Sequence, residues 1–176
     1  MSVASNFVRS CLIVMLCVAL AACGFQLRGA YSLPFDRLYI SLANSTELYG
    51  QIRRSVESGS ATRVVATAAE AEASLVVLAD NPQKNILSLS AAGRVREFEL
   101  VRTFSFRVTD KAGMDLIAPS RIVLRRELTF SDDQVLSKEA EELLLWRDMQ
   151  NDLVQQLMRR LASAKPSVAP TIIPAK

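Results

Sequence analysis

Glu97 and Glu99 stand two residues apart in a stretch that alternates apolar and polar side chains. On an extended strand that spacing puts both carboxylates on one face, about 7 Å apart. The distance alone would suit the acid and base of an inverting glycoside hydrolase. Nothing nearby suggests a sugar cleft, and a solvated strand face accounts for the same pattern. Other catalytic chemistries are poorly provided for. The chain has no histidine, which removes the commonest general base and metal ligand and every Ser-His-Asp arrangement. Its six glycines never cluster into a phosphate loop. No cofactor is expected, and the residue types point away from an enzyme.

Basic residues are the more suggestive group. Arg94, Arg96 and Arg102 fall in phase with the apolar positions of "RVREFELVRTFSFRVTD", and Arg126 does so in the following stretch "RIVLRRELTF". A charge in phase with a core stripe is costly unless it lies at a sheet end or meets a partner. Two readings stand: long stems that reach out to the rim, or a basic rim that receives an anion. Guanidinium forks suit phosphate because they donate two parallel hydrogen bonds. Lys138 adds a cation near the start of a predicted helix, where the dipole ordinarily disfavours positive charge. It reads either as a solvated lysine or as part of an anion site with the helix end.

The cysteines speak about location. Cys11–Ala22 is an uninterrupted apolar run preceded by Arg9 and ending in Leu20-Ala21-Ala22-Cys23. As a helix it measures roughly 18 Å, against about 30 Å of bilayer core, so it is too short to span. Its layout is that of a secretory signal. The cysteine directly at its boundary resembles a bacterial lipobox, in which the thiol receives a diacylglycerol, the signal is cut before it, and the new amine is acylated. Residues 1–22 are therefore expected to be a cleaved lipoprotein signal and Cys23 the lipid attachment site. Gly24, not Asp, follows, which by the sorting rule of such lipoproteins directs the chain to the outer membrane. Residues 23–176 carry 20 basic and 18 acidic residues, a net charge of +2 that gives no argument for nucleic acid. Cys11 and Cys17 leave with the signal, so no thiol remains for a disulfide, a zinc site or a nucleophile.

These groups need elements to hold them. Residues 35–41 read as a strand after Pro34. Residues 46–58 read as an amphipathic helix with Thr46 as N-cap, a stripe of Leu48, Ile52 and Val56, and Gly59 as the glycine beyond its end. Short strands are expected at 62–67, 74–79 and 86–90, with 69–73 as a connection and Asn81-Pro82-Gln83-Lys84-Asn85 as a loop. Residues 94–109 show period-2 patterning with Phe98, Leu100, Phe104, Phe106 and Val108 on one face. Unbroken, that strand would run roughly 50 Å, so a bulge or a projecting end is expected. A turn at 110–115 leads to a return strand at 121–130. Asp132 and Asp133 read as loop and cap residues. A second helix starts near Ser137, with Leu143, Trp146, Met149, Leu153, Leu157 and Leu161 as its core stripe and Arg159 and Arg160 at its end. The tail after Lys165, with three prolines, is expected to be disordered. The order predicts an α+β fold, two helices packed on one face of a mainly antiparallel sheet of about four or more strands, in a single domain over 23–164.

The lipobox running into "CGFQLRG", Pro34 and the first strand, the stretch "EFELVRTFSFRV" and the ending "TFSDDQVLSKEAEELLLWRDMQNDLVQQLMRRL" resemble the LPS-assembly lipoprotein family (LptE, once called RlpB). The resemblance implies an outer-membrane, lipid-anchored protein that sits as a plug in the lumen of a large β-barrel, the LPS-assembly protein LptD. There it would help the barrel fold and take part in carrying lipopolysaccharide to the outer leaflet. It further implies lipopolysaccharide binding through basic residues near one end of the sheet. Lys138 matches a basic position of that family. Ala91 stands where another is expected, with Arg94 and Arg96 nearby. An accessory lipoprotein of another envelope assembly complex is the alternative.

Overall fold

A computed structural model describes residues 31–164. The expected signal, Cys23 and the expected tail at 165–176 lie outside the described residues. Strand β1 (Arg37–Ile40) buries Leu38 and Ile40 completely. Helix α1 (Glu47–Gly59) begins as its sequence requires. Thr46 is extended, and its hydroxyl accepts the Tyr49 N–H at 3.2 Å while donating to the Ala43 carbonyl at 2.9 Å. Leu48, Tyr49, Ile52 and Val56 form its buried stripe. Its end differs from expectation. Gly59 is still helical, and the extended residue Ser60 closes the helix by donating both its N–H (3.0 Å) and its hydroxyl (2.7 Å) to the Val56 carbonyl. With that carbonyl doubly satisfied, no left-handed glycine is needed.

The remaining strands are β2 (Arg63–Val65), β3 (Ala73–Leu89), β4 (Val95–Asp110) and β5 (Asp115–Thr129), and the five form one sheet in the order β2-β1-β3-β4-β5. β1 lies parallel to β2 on one side and to the first residues of β3 on the other, whereas β3, β4 and β5 form an antiparallel meander. Two of these four pairings are parallel, so the sheet is mixed and not mainly antiparallel as the sequence suggested. The physical cause is α1, which carries the chain back so that β2 re-enters in the direction of β1.

The meander is longer than its sequence signals. Strand signals at 74–79 and 86–90 merge into one 17-residue strand, and the expected loop at 81–85 is its middle. Pairing continues through Pro82, opposite Arg102. Proline is tolerated because β1 covers β3 only from Ala73 to Leu75, which leaves an edge where a missing N–H costs no ladder bond. β5 likewise begins at Asp115, six residues before the expected start. Register shifts near Val77, Ser88 and Val108 absorb twist along these strands. The turn from β4 to β5 is held by Asp110, whose carboxylate accepts the Ala112 and Met114 N–H groups, and by Gly113 at φ 81°.

A single turn at Asp132–Gln134 leads into helix α2 (Val135–Ala162), 28 residues and about 42 Å long. Met149, Leu153, Leu157 and Leu161 are buried as expected, joined by Val154 and Met158. They meet α1, β1 and the Leu100, Phe104, Phe106 and Val108 face of β4 in one core. The first third of α2 departs from its predicted stripe. Leu143 is 63% exposed and Trp146 only partly buried at the core margin. Below this part of the helix the sheet presents charged side chains, so α2 answers with carboxylates: Lys84 Nζ meets Glu142 Oε2 at 2.6 Å. Among the described residues, no helix is long and apolar enough to cross a membrane.

Candidate ligand-binding site

Arg102 and Arg126, which the sequence placed in phase with the core, do not form a rim. Arg102 is 8% exposed, and its fork donates to both Asp80 oxygens at 2.9 and 2.7 Å. Its third nitrogen donates to Gln150 Oε1 at 3.1 Å, and Gln150 in turn donates to Gln51 of α1 at 2.9 Å. One guanidinium thus links β3, β4 and both helices. Arg126 donates to Asp148 and Asp152, one turn apart on α2. The Asp148 hydrogen bond, then that of Asp152, raises the Arg126 pKa against the opposing effect of desolvation. Both arginines are cross-links between sheet and helices.

Arg94 and Arg96 are placed differently. The β3–β4 connection is closed by Ser90, whose N–H donates to the Arg94 carbonyl (2.7 Å) and whose hydroxyl accepts the Arg94 N–H (3.1 Å). Gly93 takes φ 74°, a conformation that costs other residues energy. Arg96 leaves this turn at the start of β4, and its carbonyl accepts the N–H of Phe130 beyond the end of β5 (2.7 Å). Phe130 also stacks edge-on against Phe98, ring centroids 5.5 Å apart. Those two contacts fold the Phe130–Asp133 segment over the sheet end.

Between the turn and that segment lies a cavity of about 510 Å³. Arg94 and Arg96 line it together with Glu97 and Asp133, and Ser90, Thr129 and Ser131 add hydroxyl groups. Lys138 does not line the cavity but is attached to it. Its Nζ donates to Thr129 Oγ1 at 2.9 Å and to Glu141 Oε2 at 2.8 Å. α2 starts two residues earlier than predicted, so Lys138 stands at its fourth position, and Glu141 one turn on answers its charge. All three cations predicted for the site therefore gather at one end of the sheet. The carboxylates of Glu97 and Asp133 were not foreseen there. The alternation of β4 put Glu97 on the outer face, but nothing in the sequence placed the turn holding Asp133 opposite it.

Glu97 and Glu99 are both engaged. Glu97 Oε2 accepts the Ser88 hydroxyl at 2.7 Å, and Glu99 Oε1 accepts from Arg125 at 2.8 Å. Their partners hold them as parts of the sheet surface. Among the described residues no group of three or more acidic or thiol side chains could hold a metal ion.

By its fold, this is a two-helix, five-strand α+β protein with a charged cavity at the end of its long strands. The chain belongs to the LptE family, described as lipopolysaccharide-assembly, whose pattern matches residues 35–161. It is 30% identical over 153 residues to the LPS-assembly lipoprotein LptE of Pectobacterium atrosepticum, covering 84% of this chain and 80% of that one. Among solved structures it is similar to an uncharacterised lipoprotein B of Nitrosomonas europaea, with 39% identity and a TM-score of 0.70 over 80% of this chain and 91% of that one. It is also similar to the rare lipoprotein B of Shewanella oneidensis, with 25% identity and a TM-score of 0.60 over 72% and 94% of the two chains.

Proposed function

We propose that this protein is an outer-membrane lipoprotein, anchored through Cys23 after removal of residues 1–22, that plugs and helps assemble an LptD-type β-barrel. It takes part in moving lipopolysaccharide to the outer leaflet and binds lipopolysaccharide at the sheet end. The observation that carries the binding is the gathering of Arg94 and Arg96 in one cavity, with Lys138 one hydrogen bond from its wall. Guanidinium groups match the phosphates of lipid A. Lys138 stands behind Thr129 of the wall and adds positive charge to that end of the cavity. Glu97 and Asp133 set a polarity to the cavity, repelling phosphate from their side and steering it toward the arginines.

The outer sheet face supports the plug. Glu99–Arg125 and Arg107–Asp115 pairs, with Thr103 and Ser105, give it hydrogen-bonding groups that suit a polar lumen wall. The open edge of β3 carries Pro82, Lys84 and register shifts, which protect it from pairing with stray chains.

The test is an Arg94→Asp, Lys138→Asp double variant. It should weaken lipopolysaccharide binding at least about tenfold and reduce the salt sensitivity of what remains. The variant should stay folded, its melting temperature lowered only modestly by loss of the Lys138 bonds to Thr129 and Glu141. A large barrel should still copurify from detergent-solubilised membranes in equal amount. Undiminished lipopolysaccharide binding by the folded variant removes the site. Absence of any barrel from the wild-type preparation removes the plug, and favours another envelope complex.

A further inference from the structure

The cavity has an apolar margin that phosphate recognition leaves unused. Ten large apolar side chains are exposed among the described residues, and five of them flank the segments that build the cavity. Ile86, Leu87 and Leu89 lead into the Ser90–Arg94 turn, and Leu89 is 55% exposed beside Ser90, which lines the cavity. On the opposite side Val135 and Leu136 follow Asp133, another lining residue, and Leu136 is 83% exposed. Ile86 is opposite Phe98, and Phe98 stacks on Phe130, which lines the cavity too. At the other end of the meander, around the β4–β5 turn, the exposed large apolar residue is Met114. Apolar groups left in water beside a cluster of cations mark a surface for something that carries both chemistries.

We propose that Ile86, Leu87, Leu89, Val135 and Leu136 form an acyl-chain margin, so that the site takes an anionic lipid by its head and by the first part of its chains. The inference rests on the reading of the cavity as a lipopolysaccharide phosphate site, and names which further portion of that ligand is held. Charge complementarity selects the occupant. A purely apolar partner would gain nothing from Arg94 and Arg96, and a soluble sugar phosphate would gain nothing from Leu87 and Leu136. An anionic amphiphile uses both. Since these side chains are exposed, covering them with acyl methylenes removes apolar area from water on both partners.

The experiment compares two probes on the full chain isolated in non-ionic detergent. One is intact lipopolysaccharide; the other is the same lipopolysaccharide after alkaline removal of all acyl chains, which keeps its phosphates. Wild type should bind the intact probe at least about tenfold more tightly, the equivalent of roughly two buried methylenes. A Leu87→Ser, Leu136→Ser double variant should lose that preference while binding the deacylated probe as wild type does. Its melting temperature should stay unchanged, because both positions are exposed. Equal affinity of wild type for the two probes overturns the acyl margin and leaves the phosphate site standing. So does a variant that keeps the preference. A variant that binds both probes normally yet no longer copurifies with a barrel shows the margin to be a protein contact, and overturns the proposal. Failure of wild type to bind either probe overturns the phosphate site as well.

Discussion

The two ends of the long sheet are built on different physics. Toward the β4–β5 turn, Leu38, Ile40, Ile52, Leu75, Phe104, Phe106, Leu153 and Leu157 close completely around one another. Toward the β3–β4 turn, sheet and helix meet through Lys84–Glu142, Arg126–Asp148 and the Lys138–Thr129 hydrogen bond, with Phe98, Leu128 and Phe130 as the apolar remainder. Apolar burial is non-directional and cannot be exchanged for a ligand without unfolding. Exposed charge pairs contribute little to stability and can change partners at small cost. The contrast teaches that one end supplies the fold's stability, leaving the other to carry polar groups that can change partners.

The contrast can be broken most severely at the core end. Leu157→Ala, at a fully buried site, should cost about 3–4 kcal/mol in chemical denaturation. A loss below about 1 kcal/mol would mean that the core does not carry the fold. Arg102 sits at the junction. Arg102→Ala should cost about 2–4 kcal/mol, because it leaves Asp80 and Gln150 with unmet hydrogen bonds. Adding Asp80→Asn should recover part of that loss, and strictly additive losses would show that the pair is not coupled. Trp146 sharpens the boundary between the ends. Being partly buried, with its indole N–H donating to Glu142 at 3.3 Å, Trp146→Ala should cost about 1–2 kcal/mol, well below a fully buried tryptophan. Its emission should fall between those of a buried and a solvated indole. A fully red-shifted spectrum would place it wholly in the polar end.

The smallest effect concerns pH. Glu72 accepts the Asp36 N–H at 2.9 Å and two bonds from Arg37, and the backbone hydrogen bond, foremost, lowers its pKa. A carboxylate whose folded pKa is depressed contributes stability above its unfolded value near 4.5, and that stability fades as the pH falls through the lower folded value. Glu72→Gln should therefore destabilise the protein slightly at neutral pH and flatten its acid-side loss. An unchanged acid limb in a pH series of thermal melts would remove this role.

How much of this was legible depended on whether the signal was local. α1 was readable because its Thr46 cap and its Leu48, Ile52 and Val56 stripe are local features, whereas its closure by Ser60 in place of Gly59 was not. β4 was readable because alternation over its length admits only a strand. The mixed sheet was not, since β2 is three residues long and its parallel partner is defined across α1. The continuity of β3 through Pro82 depends on β1 ending its cover at Leu75, a fact of tertiary structure. Leu143 keeps a helical period with Leu153 and Leu157, yet periodicity cannot report that the surface beneath it has turned polar. Of the candidate site, Arg94, Arg96 and Lys138 were singled out by residue type, position and family resemblance. That they share one end of the sheet follows from the Phe130 N–H bond to Arg96 and the Lys138 bond to Thr129, which no sequence pattern encodes.

The parallel seating of β1 between β2 and β3 also sets an order of assembly. The meander closes across two tight turns, so its strands can zip from short loops outward. Leu38 must instead find Val64 on one side and Ala73 on the other, closing far longer loops before either pairing stabilises it. During refolding, protection of backbone amides against exchange should accordingly appear in β4 before β1. Until β1 docks, Ala73–Leu75 remains an unguarded edge with buried-type side chains facing water. The folding chain is then most prone to misassociation at the start of β3, well away from the end proposed to handle lipid.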